Sequence, residues 1–180
     1  MTSKIKGFQG KVPVIGQRVY VDNSAVIIGD VQIGDDSSIW PTAVIRGDMH
    51  SIIIGARTSI QDGSVLHITH KSHYNPAGYP LDIGSEVTIG HKAVLHGCTI
   101  QDRCLIGIGA IVMDGAVVEE EVMVAAGCLV PPGKHLKSGH LYKGNPAKIA
   151  RPLSEKERQY LRYSADNYVK LKDQYLETVS

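Results

Sequence analysis

Three histidines carry the chemistry that this sequence offers. His91 and His96 lie five residues apart in Gly90-His91-Lys92-Ala93-Val94-Leu95-His96-Gly97, and His67 closes the upstream stretch Gln61-Asp62-Gly63-Ser64-Val65-Leu66-His67. Neutral imidazole is the commonest metal ligand. Three imidazoles on zinc leave one position open for water, the layout of a catalytic rather than a structural site. Such a centre gives hydroxide at neutral pH, a nucleophile for an electrophilic substrate. A single surface histidine would carry no such meaning. The meaning depends on whether the chain brings the three together, and the chain is organised as a repeat.

Aliphatic residues recur at six-residue steps: Ile33, Ile39 and Ile45, then after a longer unit Ile54, Ile60 and Leu66. After a still longer unit come Ile83, Ile89 and Leu95, then Ile100, Ile106, Val112, Val118, Val124 and Val130 without a break. The fifth position of each unit is small or β-branched, as at Ala43, Thr58, Ser64, Ala93 and Ala110. Glycine often follows the aliphatic residue, as in Ile54-Gly55 and Ile83-Gly84. A fixed hexapeptide period marks a parallel β-helix, a solenoid in which three units close one triangular coil. A β-sandwich explains alternation but not one phase held over so long a run.

Grouped in threes, the units define three faces. Ile33, Ile54, Ile83, Ile100 and Val118 fall on the first. Ile39, Ile60, Ile89, Ile106 and Val124 fall on the second, and Ile45, Leu66, Leu95, Val112 and Val130 on the third. His67 and His96 follow Leu66 and Leu95, so they stack in one column, about 4.8 Å apart at the backbone. Arg46 occupies that column one coil earlier. His91 sits round the corner on the second face, with Asp62 one coil below it and Gln61 beside Asp62. Side chains on two faces of a convex prism diverge. The expectation is therefore a site closed by a neighbouring copy that supplies His91, in a homotrimer with heterologous contacts.

The remaining sequence constrains partners and boundaries. The 180 residues carry a net charge of +1, which gives no electrostatic reason to expect nucleic acid or an anionic membrane. No apolar run is long enough to span a bilayer, and Met1 to Val12 lacks a signal-peptide core. Three cysteines without a C-x-x-C pair make a disulfide framework unlikely and a cytoplasmic location the default. Residues 1–152 are expected to form the β-helix, with residues 1–24 as a cap. An insertion at 68–82 breaks the step with Pro76, Gly78 and Pro80. Tyr74 and Tyr79 in it read as loop anchors. His70, at its mouth, is a candidate proton carrier, since histidine is a side chain suited to moving protons near neutral pH. Ser154-Glu155-Lys156-Glu157 is a capping box, and a helix is expected from Glu155 to Leu176 within 153–180. Tyr160, Leu161, Tyr168, Leu171 and Tyr175 form its apolar stripe, laid on the β-helix or a neighbouring subunit.

Arg46-Gly47-Asp48, Gln61-Asp62-Gly63-Ser64-Val65-Leu66-His67 and the His91/His96-Gly97 spacing together resemble the γ-class carbonic anhydrases and their close relatives. The resemblance covers nearly the whole chain. It implies a left-handed coil, although general crossover rules favour the opposite hand. It also implies a trimer with zinc (Zn2+) or iron (Fe2+) between subunits, and reversible hydration of CO2 to bicarbonate. His67 and His96 match the ligands from one subunit and His91 the ligand from the next. Gln61 matches the residue that hydrogen-bonds the metal-bound water. Arg46 and Asp62 match a pair that braces the interface, with Asp48 beside them, and Asn167 matches an active-site asparagine. Two positions depart from the founding members: Met49 and His70 stand where those carry glutamates, the second used in proton transfer. Two other readings stay open on the residues alone. One is a hexapeptide acyltransferase with His91 or His96 as general base, since Gly144-Asn145-Pro146-Ala147-Lys148 resembles an exit motif of those enzymes. The other is a metal-binding scaffold without turnover.

Overall fold

A computed structural model describes residues 4–178 of the chain. The architecture is a left-handed parallel β-helix followed by one helix, α1 (Glu155–Thr178). The register is the one that the six-residue step dictates. Ile33 pairs with Ile54 and Ile54 with Ile83 on the first face; Ile39 with Ile60 and Ile60 with Ile89 on the second; Ile45 with Leu66 and Leu66 with Leu95 on the third. These residues fill the axis of the prism, and Ile39, Ile45, Ile60, Leu66, Ile89 and Leu95 are fully buried. Each contributes roughly 1.5–3 kcal/mol by leaving water. The small polar residues at the fifth position have a second use. The hydroxyls of Ser37, Thr58 and Ser64 donate to the carbonyls of Gly55, Gly84 and Gly90 in the next coil, at 2.8, 2.8 and 3.0 Å.

The coil extends beyond both ends of the run counted from Ile33. Ile15 pairs with Ile33, Val21 with Ile39 and Ile27 with Ile45, so the stretch expected to be a cap supplies a coil of its own. Past Val130, Leu136 stacks on Val118 and Tyr142 on Val124. The solenoid ends in an antiparallel hairpin of His140–Lys143 with Lys148–Pro152, which carries the Gly144-Asn145-Pro146 turn. The longer unit after Ile45 is absorbed in a strand, Val44–Ile54, that runs through the corner between the third and first faces. Gly47 still pairs with Gly29, and the pairing resumes with Ile52 on Val31. The extra residues between them bulge outward and carry Asp48.

Helix α1 begins at the capping box. Ser154 and Glu157 exchange hydrogen bonds, Ser154 N to Glu157 Oε2 at 2.9 Å and Glu157 N to Ser154 Oγ at 3.3 Å. The helix lies on the second face, where Tyr168 and Tyr175 of the apolar stripe meet the Trp40 ring at 6.1 and 5.2 Å, but its fully buried side includes polar residues that the stripe did not contain. Leu161, Ser164, Ala165 and Lys172 are buried, whereas Tyr160 and Tyr175 are exposed by half or nearly so. Polar members are tolerated because they find partners. Ser164 Oγ meets Thr88 Oγ1 at 2.9 Å, and Lys172 Nζ donates to Asp36 and Asp173 at 2.6 Å each.

The corner beside α1 is a ladder of alternating charge. Arg18 bonds Asp36, Arg57 bonds Glu86 and Arg103 bonds Glu121, coil upon coil, at 3.3–3.4 Å. The helix adds complementary groups in reverse order, Arg158 on Glu121, Asp166 on Arg57 and Asp173 on Arg18, so it runs back down the prism. Lys172 is the buried rung. Its ammonium, first through its hydrogen bond and despite burial, holds the Asp36 carboxyl below its ordinary value. Asp36→Ala leaves that ammonium with Asp173 alone and is expected to cost about 2 kcal/mol at pH 7. That corresponds to roughly 4–8 °C in melting temperature. A depressed carboxyl stabilises above its unfolded value of about 4 and loses its effect as pH falls. The gap between parent and variant in thermal melts should therefore narrow as pH is lowered below about 4.

Candidate metal centre

The β-ladder sets His67 opposite His96, one coil apart, with fully buried Leu66 and Leu95 fixing the backbone beneath them. The rings approach at 5.2 Å between centroids, and His67 Nδ1 lies 3.1 Å from His96 Nε2. Each ring turns its other nitrogen to a carboxylate. His67 Nε2 is 3.2 Å from Asp48 Oδ1, and His96 Nδ1 is 2.8 Å from Asp114 Oδ1. His91 repeats the pattern on the second face, with Nδ1 2.9 Å from Asp62 Oδ2. Asp48 also accepts from Arg46 Nη1 at 2.5 Å.

This wiring decides the protons. An ionised carboxylate only accepts, so the ring nitrogen facing it bears the hydrogen and the other keeps its lone pair. Burial works to raise the Asp48 carboxyl, but hydrogen bonds from Arg46 and His67 outweigh it and hold the group below its ordinary value. Burial lowers the His67 pKa, against the pull of Asp48, so its ring is neutral at pH 7. With the hydrogens on the carboxylate side, His67 Nδ1 and His96 Nε2 turn lone pairs toward each other across 3.1 Å, an arrangement that a shared cation would stabilise. Two nitrogens on one tetrahedral zinc, each at 2.0–2.1 Å, stand about 3.3 Å apart. The donor set therefore fits a metal ion, and a carboxylate behind each imidazole is the usual means of fixing ring and tautomer at such sites.

One chain does not complete the centre. Among the described residues, no three His, Cys, Asp or Glu side chains converge on a point that could hold a metal. His91 is about half exposed and is held by Asp62. It lines a groove of about 380 Å³ between the second face and α1, together with Gln61, Thr88, Ile108, Tyr160 and Tyr168. Gln61 is 4% exposed, and among the described residues its side-chain amide has no hydrogen-bond partner. Arg46 and Asp62 do not meet within one chain, since Arg46 bonds Asp48 and Asp62 bonds His91. His70 is exposed just beyond Thr69. Asn167 is exposed on α1 and lies off the groove lining that Ser164 and Tyr168 supply.

The family model for the bacterial transferase hexapeptide (six repeats) matches residues 13–47. Over 98% of its length the chain is 59% identical to protein YrdA of Escherichia coli, of which it covers 96%. Over 89% of its length it is 42% identical to a probable carbonic anhydrase of Methanocaldococcus jannaschii, again covering 96% of that protein. The chain belongs to the γ-carbonic-anhydrase-like family of hexapeptide-repeat proteins. Among solved structures, a hexapeptide transferase family protein from Anaplasma phagocytophilum superposes with a TM-score of 0.89 at 42% identity, over 97% of this chain and 99% of that one. Within this γ-class-like framework one residue escaped the sequence reading. Asp114, the partner of His96, sits one coil on from Gly97 on the third face. Its signal was available: an aspartate two residues after Val112, above a glycine that leaves it room.

Proposed function

We propose that the chain is a metal-dependent, carbonic-anhydrase-like lyase that hydrates CO2 reversibly to bicarbonate at sites between the subunits of a homotrimer. The observation that carries this reading is the His67–His96 pair, two ring nitrogens 3.1 Å apart with each ring backed by its own aspartate. His67 and His96 of one subunit and His91 of the next would hold zinc, with iron(II) as the other candidate. Zinc held there would supply Lewis acidity and a nucleophile at neutral pH. The Gln61 amide, which makes no side-chain hydrogen bond among the described residues, is available to hydrogen-bond an oxygen brought to the site beside His91. Arg46 holds Asp48 ionised, and Asp48 in turn fixes His67.

The trimer has its own support. Beside the histidine column on the third face runs an outward file of Val44, Val65, Val94 and Ile111 in register, with Val65 and Ile111 more than a third exposed. An apolar strip flanking an unfinished polar site suits a second copy of the chain. The reading is tested by metal analysis of protein grown with zinc, followed by stopped-flow CO2 hydration. About one zinc per subunit with turnover is expected. Metal-free protein that acetylates an amine from acetyl-CoA would assign it instead to the acyltransferases. Bound zinc without turnover would make it a scaffold.

A further inference from the structure

The insertion at 68–82 meets the candidate centre from behind. Thr69 and Tyr79 exchange both backbone hydrogen bonds, at 3.0 and 2.9 Å, and so close the loop at a neck. From that neck Thr69 Oγ1 lies 3.0 Å from Asp114 Oδ1, the same oxygen that accepts from His96 Nδ1 at 2.8 Å. The other side of the neck presses on the coil that carries these residues. A β-carbon on Gly97 would stand 2.3 Å from Asp114 Oδ1 and 2.6 Å from Tyr79 Cβ; one on Gly115 would stand 2.9 Å from the Tyr79 ring. Gly97 also has a φ of +53°, which only glycine adopts without strain. The space over Asp114 is thus kept clear so that the loop neck can seat against it.

We propose that the neck of the insertion is a clamp on the metal centre, in which Thr69 acts through Asp114 to set the ring of His96. The proposal rests on the metal-centre reading above. Asp114 is about a quarter exposed, and with one donor its carboxylate is free to rotate away from the imidazole. A second donor on the same oxygen removes that freedom. The other half of the pair is built alike: Arg46 holds Asp48, which holds His67. Thr69 is therefore a positioning residue, not a catalytic one, and the insertion acts by orienting His96 and not by touching substrate.

The test uses the full-length protein with Thr69→Val, Thr69→Ser and Asp114→Asn. Zinc affinity is measured by chelator competition, the visible spectrum with cobalt(II) in place of zinc, and the melting temperature without metal. Thr69→Val keeps the shape and loses the hydroxyl. It is expected to weaken zinc binding about 10-fold and Asp114→Asn about 10–100-fold, the usual range for groups behind metal ligands. Thr69→Val should also shift the cobalt bands, while Thr69→Ser restores parental affinity and spectrum. The metal-free melting temperatures of the two Thr69 variants should coincide. Parental zinc affinity and an unchanged cobalt spectrum in Thr69→Val would overturn the clamp. So would an equal loss in Thr69→Ser. If His96→Ala abolishes binding in either case, the metal centre stands without the clamp. A parent protein that binds no zinc would sink both.

Discussion

His67→Ala is expected to empty the metal centre and to lower CO2 hydration at pH 7 by at least about a thousandfold. The magnitude follows from the water. Free water has a pKa of 15.7 and zinc-bound water about 7, so losing the ion removes almost all of the hydroxide available at neutral pH. The substitution should not unfold the chain. The His67 side chain points outward, and the core at that step is made by Leu66, which is fully buried and stacks on Ile45 and Leu95. The variant should melt within a few degrees of the metal-free parent. Its loss should appear in zinc content and in stopped-flow hydration together. Retained zinc with retained turnover would show that His67 is not a ligand.

The second large effect is structural. Gly55→Ala places a β-carbon 2.5–2.6 Å from the backbone of Gly84 and Ser85 in the next coil. Backbone cannot swing aside as a side chain can. The coils must part where Gly55 N donates to Ile83 O at 2.8 Å. Overpacking of this kind falls at the upper end of its range, about 3 kcal/mol. A chain of this size should lose roughly 6–12 °C in melting temperature. The same coils set the spacing of His67 and His96, so zinc affinity should fall as well. Calorimetry with and without zinc measures both. An unchanged melting temperature would mean that the corners yield despite the close approach of Gly55 to Gly84 and Ser85.

The register of the site was legible because one periodicity fixes it. Once Leu66 and Leu95 share a phase, His67 must face His96, and no tertiary information is needed. The ends of the solenoid were equally present in the chain, since Ile15, Val21 and Ile27 continue the same step upstream of Ile33; the count simply began too late. Asp114 was not legible in that way. Its role depends on room left by Gly97 and on a loop that returns through Tyr79, and neither has a period. The polar members of the buried side of α1 escaped for a different reason. Apolar spacing selects tyrosines, but Lys172 and Ser164 are buried because Asp36 and Thr88 wait for them on another element. Helical periodicity carries no information about partners on a sheet. The placement of Asn167 off the groove of its own chain likewise leaves any role for it to a neighbouring subunit.

The claim that two copies of the chain share each metal is tested most directly by mixing defective subunits. His67→Ala and His91→Ala proteins, each expected to be nearly free of zinc, are co-expressed with different tags and purified as mixed trimers. Each mixed ring then holds one interface with His67 and His96 intact on one side and His91 intact on the other. Purified mixed rings should therefore regain about one third of the parental zinc and turnover, one site in three. No recovery in the mixed rings, with both variants folded and trimeric, would contradict a centre built between subunits.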